Sequence, residues 1–99
     1  MKARVKTDLR KAAAHRQCQV RLTGICLTEP TCLAHVRLVG ISGMGLKAPD
    51  ALGAHCCDAC HKAYDQRGSG PEADAIELDF LRGVIRTQNL LIKEEVVRW

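Results

Sequence analysis

Six cysteines in a 99-residue chain constrain the fold more than any other feature. A domain of this size buries too little apolar surface for a comfortable margin of stability, so covalent links or bound metal must supply part of it. The choice between them follows from the compartment. The head "MKARVKTDLRKAAAHRQC" is charged and has no apolar export core, and no run approaches the ~18 apolar residues of a membrane span. The expectation is a protein of the cytoplasm, in a bacterium or a phage-infected bacterium, without membrane association. Thiols stay reduced there, which favours metal over disulfides.

Structural zinc takes four sulfur or nitrogen ligands, commonly as two pairs far apart in sequence. Cys57-x-x-Cys60 is one pair, and Cys18 with Cys26, bracketing a tight turn at Thr23–Gly24, supplies the other. Cys32 is an alternative to Cys26, and Cys56 to Cys57. Adjacent strand residues point to opposite faces, so only one of Cys56 and Cys57 reaches a given ion. Outside the quartet, Cys32 and Cys56 read as small buried hydrophobes. Cys57, Cys60 and His61 also spell C-x-x-C-H, the haem-attachment motif. That reading leaves four cysteines unexplained, has no visible export signal and offers only Met44, in a glycine-rich loop, as an internal methionine ligand.

Hydrophobic periodicity gives an α+β chain in one domain. A short helix runs through "LRKAAAHRQ", capped by Thr7 or Asp8. The strand "CLAHVRLVG" sets Leu33, His35, Arg37 and Val39 on one face and Ala34, Val36 and Leu38 on the other. A glycine loop follows, then a short strand in "ALGAHCC" and a helix in "DACHKAYDQR". After "GSGPEAD", with Ser69 as cap and Pro71 at the first helical position, Ala73, Ile76, Phe80, Val84 and Leu91 recur at helical spacing over about 71–92. Leu81 and Ile85 widen that stripe. Within the helix of "DACHKAYDQR" His61 and Asp65 are four residues apart, so an imidazole and a carboxylate share one helix face and can hold one divalent ion.

Charge is uneven. Residues 1–21 carry Lys2, Arg4, Lys6, Arg10, Lys11, Arg16 and Arg21 against Asp8 alone, whereas the rest holds more acids than bases. The basic head is a candidate phosphate-binding surface.

Taken in order, "HRQCQVRLTGIC", "CLAHVRLVG", "LKAPDAL" and "CCDACHKAYD" resemble the HNH, or ββα-metal, nuclease pattern. The nearest resemblance is to the YbcO-like family of small prophage-encoded proteins assigned as nucleases. The resemblance implies a small zinc-stabilised, treble-clef-like domain with an N-terminal helix, a core over about 8–67 and a C-terminal packing helix. It puts His35 at the general base, His61 at the final histidine that binds the catalytic metal, and Asp65 at a second ligand. Asp50 falls where the central Asn stands, and Ala34 where many relatives place a further metal ligand.

The chemistry is consistent with that pattern. Hydrolysis of a phosphodiester needs a base with a pKa near neutrality and a cation beside the scissile phosphate. His35 suits the first role, and Mg²⁺ or another divalent cation at His61 and Asp65 the second, with Arg37 as a phosphate clamp. Lys11, Arg16, Arg21, Lys47 and Arg67 are the expected polynucleotide contacts. His15 reads as a helix-surface residue and His55 as packing or a spare ligand. The expected partner is DNA, with RNA also compatible, and the apolar C-terminal helix leaves a homodimer open. The competing class is a zinc-stabilised nucleic-acid-binding or adaptor module without turnover.

Overall fold

The computed structural model describes residues 4–5, 9–14, 16–38, 50–94 and 97–98. In chain order the elements are strand β1 (Arg4–Val5), helix α1 (Leu9–Ala13), strand β2 (Thr31–His35), a 3-10 turn (Asp50–Leu52), strand β3 (Gly53–Cys57), helix α2 (Asp58–Asp65), helix α3 (Pro71–Lys93) and strand β4 (Val97–Arg98). β2 and β3 pair antiparallel, with Thr31 opposite Cys57, Leu33 opposite His55 and His35 opposite Gly53. β1 and β4 bring residues near the two ends together in a second antiparallel pair.

The β2–β3 ribbon separates two apolar groups. Ala34, Ala54 and Cys56 join Cys18, Val20, Leu22, Tyr64, Phe80 and Val84 in the larger one. Leu33 joins Leu9, Ala13 and Leu91 in the smaller. Side chains alternate across a strand, so the two groups lie on opposite faces. The Thr31 hydroxyl fastens α1 to the second face by donating to the carbonyls of Ala13 and Arg16 at 2.6 and 2.8 Å.

β2 is shorter than its sequence pattern and ends at His35. The Arg37 amide donates to the Tyr64 hydroxyl at 2.9 Å, so a side chain takes over from the ladder. Arg37 therefore does not share a strand face with His35, as the alternating pattern suggests. α1 likewise ends at Ala13, short of the stretch read as helix.

α2 starts directly on β3, with Cys57 as its cap: the sulfur accepts the Cys60 amide. α3 is capped by Gly70, at φ 105°, and not by Ser69. Its buried face holds Ala73, Phe80, Gly83, Val84, Thr87 and Leu91. Gly83 is the closest approach, because a Cβ there would stand 2.8 Å from Val20 Cγ2 and 2.9 Å from Val20 Cα. Next to it the Thr87 hydroxyl donates to the Gly83 carbonyl and accepts the His55 amide, joining α3 to β3. Ile85, expected to widen the buried stripe, is 66% exposed. With Leu78 and Ile92 it forms an exposed apolar line at seven-residue spacing. None of the described helices is long and apolar enough to cross a membrane.

Candidate functional site

The Sγ atoms of Cys18, Cys26, Cys57 and Cys60 all lie within 4.8 Å of one another. The seven-residue spacer between Cys18 and Cys26 closes because Cys26 donates its amide back to Leu22 at 3.0 Å around Gly24, whose φ of +76° suits glycine. Cys57 and Cys60 come from the start of α2. A tetrahedral zinc with ~2.3 Å bonds has sulfurs ~3.8 Å apart, so this quartet fits a metal such as zinc. Amides already point at the sulfurs: Leu27 and Cys60 donate to Cys57 at 3.3 and 3.4 Å, and Thr28 to Cys26 at 3.4 Å.

The other two cysteines stand outside the quartet. Cys56 is fully buried and bonds to Cys18, and that bond is the largest of the causes that lower the Cys18 pKa to about 4 and raise that of Cys56. It packs in the core as expected, with its thiol against a sulfur of the quartet. Cys32, expected to be buried, is exposed. The alternation that removes it from the quartet turns it toward α2, where its sulfur lies 3.6 Å from His61 Nδ1. Burial, then the carboxylates of Asp58 and Asp65, raise its pKa and keep it a thiol.

The fold forms two imidazole–carboxylate pairs, one at the end of β2 and one on α2. His35 Nε2 is 2.6 Å from Asp50 Oδ1, and Arg10 Nε is 3.5 Å from the same oxygen. The hydrogen bond from His35 is the chief cause that lowers the Asp50 pKa, and Arg10 adds to it. His61 Nε2 is 3.3 Å from Asp65 Oδ2 across one turn of α2, while Asp65 Oδ1 takes Arg37 Nε at 2.8 Å. The pairs approach from different sides. His35 shares the β2 face of Thr31 and Leu33, toward α1, whereas His61 meets Cys32 on the other. Arg37, just past the strand end, stands between them in the chain and bonds to the second pair.

Other expected residues divide clearly. Lys11 and Arg21 are exposed. Arg16 is engaged, bonding the Ala12 carbonyl and pairing with Glu94. Arg67 is committed to the fold: it donates to the carbonyls of Tyr64 and Arg37 at 2.9 and 2.8 Å, with its guanidinium 4.1 Å from the Tyr64 ring centroid. It closes the end of α2 and holds the chain after β2. His55 is fully buried with neither ring nitrogen hydrogen-bonded, which makes it packing. Lys47, Met44 and His15 lie outside the described residues.

Sequence reasoning missed Arg10 as the partner of Asp50 and Tyr64 as the clasp on Arg37. The basic head did signal a role for Arg10, but nothing in its spacing pointed to Asp50. Tyr64, stacked on Phe80 with ring centroids 3.7 Å apart, carried no signal beyond its apolar position on α2.

A family model described as "Putative nuclease YbcO" matches residues 7–96. The chain belongs to the YbcO family. Within it, the chain is 43% identical over 93 residues to the Escherichia coli K12 protein described as "Putative nuclease YbcO", covering 92% of this chain and 97% of that one. A relative from Enterobacteria phage 82, "Putative nuclease ybcO", matches to the same extent. A solved structure of a "putative bacteriophage protein" from Escherichia coli K-12 MG1655 superposes with a TM-score of 0.71 at 37% identity, covering 88% of this chain and 99% of that one. The YbcO family thus includes phage-encoded relatives that are nucleases by name.

Proposed function

We propose that this chain is a metal-dependent endonuclease of the HNH type that hydrolyses DNA phosphodiester bonds in the cytoplasm of a bacterium or phage-infected bacterium. The observation that carries the reading is the order strand, strand, helix on a four-cysteine knuckle, with one histidine–aspartate pair at the end of β2 and another on α2. Zinc at Cys18, Cys26, Cys57 and Cys60 holds the fold. His61 and Asp65 offer one nitrogen and one carboxylate oxygen, with side chains about a third exposed. That donor set fits an ion that keeps water and phosphate oxygens in its other positions.

His35 is the general base. With Nε2–H donated to Asp50, Nδ1 carries the lone pair that takes a proton from the attacking water. Asp50 holds that tautomer and stabilises the imidazolium that forms. Arg37 keeps its terminal guanidinium nitrogens for a phosphate oxygen while Asp65 occupies Nε. When bound, Mg²⁺ or another divalent ion at His61 and Asp65 offsets charge on the phosphoryl oxygens and the leaving 3′-oxygen. Lys11, Arg16, Arg21 and Lys47 bind the polynucleotide backbone. Leu78, Ile85 and Ile92 offer a face through which two copies can pair and cut both strands.

The test is plasmid cleavage with added Mg²⁺ or Mn²⁺. Wild type should cut, and His35→Ala should bind without cutting. A second reading, a zinc-stabilised binding or adaptor module, draws support from Ala34, which supplies no further metal ligand, and from the Arg37 contact that competes for Asp65. It prevails if wild type cuts no single- or double-stranded DNA or RNA.

A further inference from the structure

Helix α3 carries its charges in two blocks. Its acids, Glu72, Asp74, Glu77 and Asp79, all precede Phe80, and its bases, Arg82, Arg86 and Lys93, all follow it. The helix macrodipole favours acids at the start and bases at the end, but its influence falls off within one turn. It accounts for Glu72, Asp74 and Lys93, and not for the change of sign between Asp79 and Arg82 in mid-helix.

On the side of the same helix turned away from the core, Leu78, Ile85 and Ile92 are 49, 66 and 45% exposed. Seven residues make almost two full turns, drifting only ~20°, so the three side chains form one line, ~21 Å long at ~1.5 Å per residue. Phe80, Gly83, Thr87 and Leu91 occupy the opposite, buried side.

The line and the two charge blocks have one common solution. With Ile85 at its midpoint, the line complements itself when a second copy is turned end for end: Ile85 meets Ile85 on the twofold axis and Leu78 meets Ile92. That orientation also lays the acidic half of each helix along the basic half of the other, whereas a parallel pair sets acid on acid and base on base. Asp79 and Lys93 each follow one residue after an end of the line and so share its flank. In this register Asp79 of one copy faces Lys93 of the second. Lys93 has no carboxylate partner among the described residues, and Asp79 holds Arg82 at 3.3 Å on the surface. Near the axis Arg86 is turned back onto the Gln19 carbonyl at 2.8 Å and Arg82 onto Asp79, which limits repulsion between the copies. A polynucleotide or an anionic lipid surface fits this face poorly, because its acidic half repels phosphate.

We propose that two copies of this chain associate through the outer face of α3 as an antiparallel, twofold-symmetric helix pair, with Ile85 on the axis and Asp79 of each copy against Lys93 of the other. The proposal rests on the pairing face named in the endonuclease reading, and fixes its partner, orientation and register.

Sedimentation velocity of zinc-loaded full-length protein, without nucleic acid and at low ionic strength, reads the association directly. Wild type should dimerise with rising concentration. Each substitution acts twice across the axis, so Ile85→Glu should weaken pairing ~100-fold or more, and Ile92→Glu should act in the same direction. Asp79→Lys and Lys93→Asp should each weaken it ~10-fold. The double variant Asp79→Lys/Lys93→Asp should recover most of the affinity, since its charges are exchanged across the antiparallel pair. A parallel pair allows no such recovery, because each residue meets its own counterpart. Unchanged zinc content and circular dichroism establish that each variant is folded. A monomer at every concentration, a dimer indifferent to Ile85→Glu, or a double variant that does not recover overturns the proposal. Because no substrate is present, the two readings fail separately. A dimer of the stated behaviour that cuts no DNA or RNA upholds the pairing and removes the nuclease, while a monomer that cuts removes the pairing alone.

Discussion

His35 Nε2 stands 2.6 Å from Asp50 Oδ1, although the two are 15 residues apart in the chain. A carboxylate at that distance fixes which ring nitrogen is protonated, and so decides which one can take a proton from water. His35→Ala should lower DNA cleavage by about 10²–10⁴-fold, the range usual for a lost general base. Asp50→Asn should lower it less, since the amide can still reach the ring while losing the charge that stabilises imidazolium. Equal activity of His35→Ala and wild type in a plasmid nicking assay would remove His35 from the chemistry.

Zinc held by the cysteine quartet would make folding depend on metal. Structural zinc in small domains contributes ~10–16 kcal/mol, as much as or more than the ~5–15 kcal/mol total stability of an ordinary domain. Chelation should therefore unfold the chain, and Cys57→Ser should abolish zinc retention whereas Cys32→Ser should keep one ion per chain. Circular dichroism with elemental analysis checks both. A native spectrum in zinc-free protein would count against the assignment.

Gly83 is where α3 touches the segment beside β3. Alanine favours helix by ~1 kcal/mol over glycine, so an unobstructed Gly83→Ala would stabilise. Here the added methyl would meet Val20 Cγ2 at 2.8 Å, Val20 Cα at 2.9 Å and the Gln19 carbonyl at 3.1 Å. Overpacking of this kind costs ~1–3 kcal/mol and should outweigh the propensity gain. The expected result is a Tm several degrees below wild type.

His55 makes stability depend on pH. Burial, aided by Arg16, lowers its pKa to about 4, against ~6.5 in an unfolded chain. Between those values the unfolded state binds more protons, so stability is lost as pH falls from ~6.5 toward 4, by on the order of 3 kcal/mol at most. Neither ring nitrogen has a partner, so His55→Leu loses no hydrogen bond. Denaturant melts of zinc-loaded protein at pH 7.5 and 5.5 should show a smaller loss in His55→Leu than in wild type. Parallel pH dependence in the two proteins would show that His55 does not titrate on unfolding.

The sequence by itself determined the local elements and the metal quartet. Cys57-x-x-Cys60 needs only one helical turn to bring its sulfurs together, and Cys18 and Cys26 need only the turn at Gly24. The long helix was legible from its apolar period and from Pro71. Alternation along β3 admitted only one of Cys56 and Cys57 to the quartet without saying which, and the fold brings in Cys57. Tertiary structure decided everything that depends on which surfaces meet. Just past the end of β2, Tyr64 from α2 takes the Arg37 amide, and no pattern within β2 encodes that. Ile85 lies on solvent because α3 is covered along a narrower face than its apolar residues allow. Arg67, read as a phosphate contact, is drawn to carbonyls at the end of α2 and after β2. Asp65 was legible as the partner of His61 from its four-residue spacing, whereas Asp50 beside His35 and Cys32 beside His61 come from elements distant in sequence that only the packed backbones bring together.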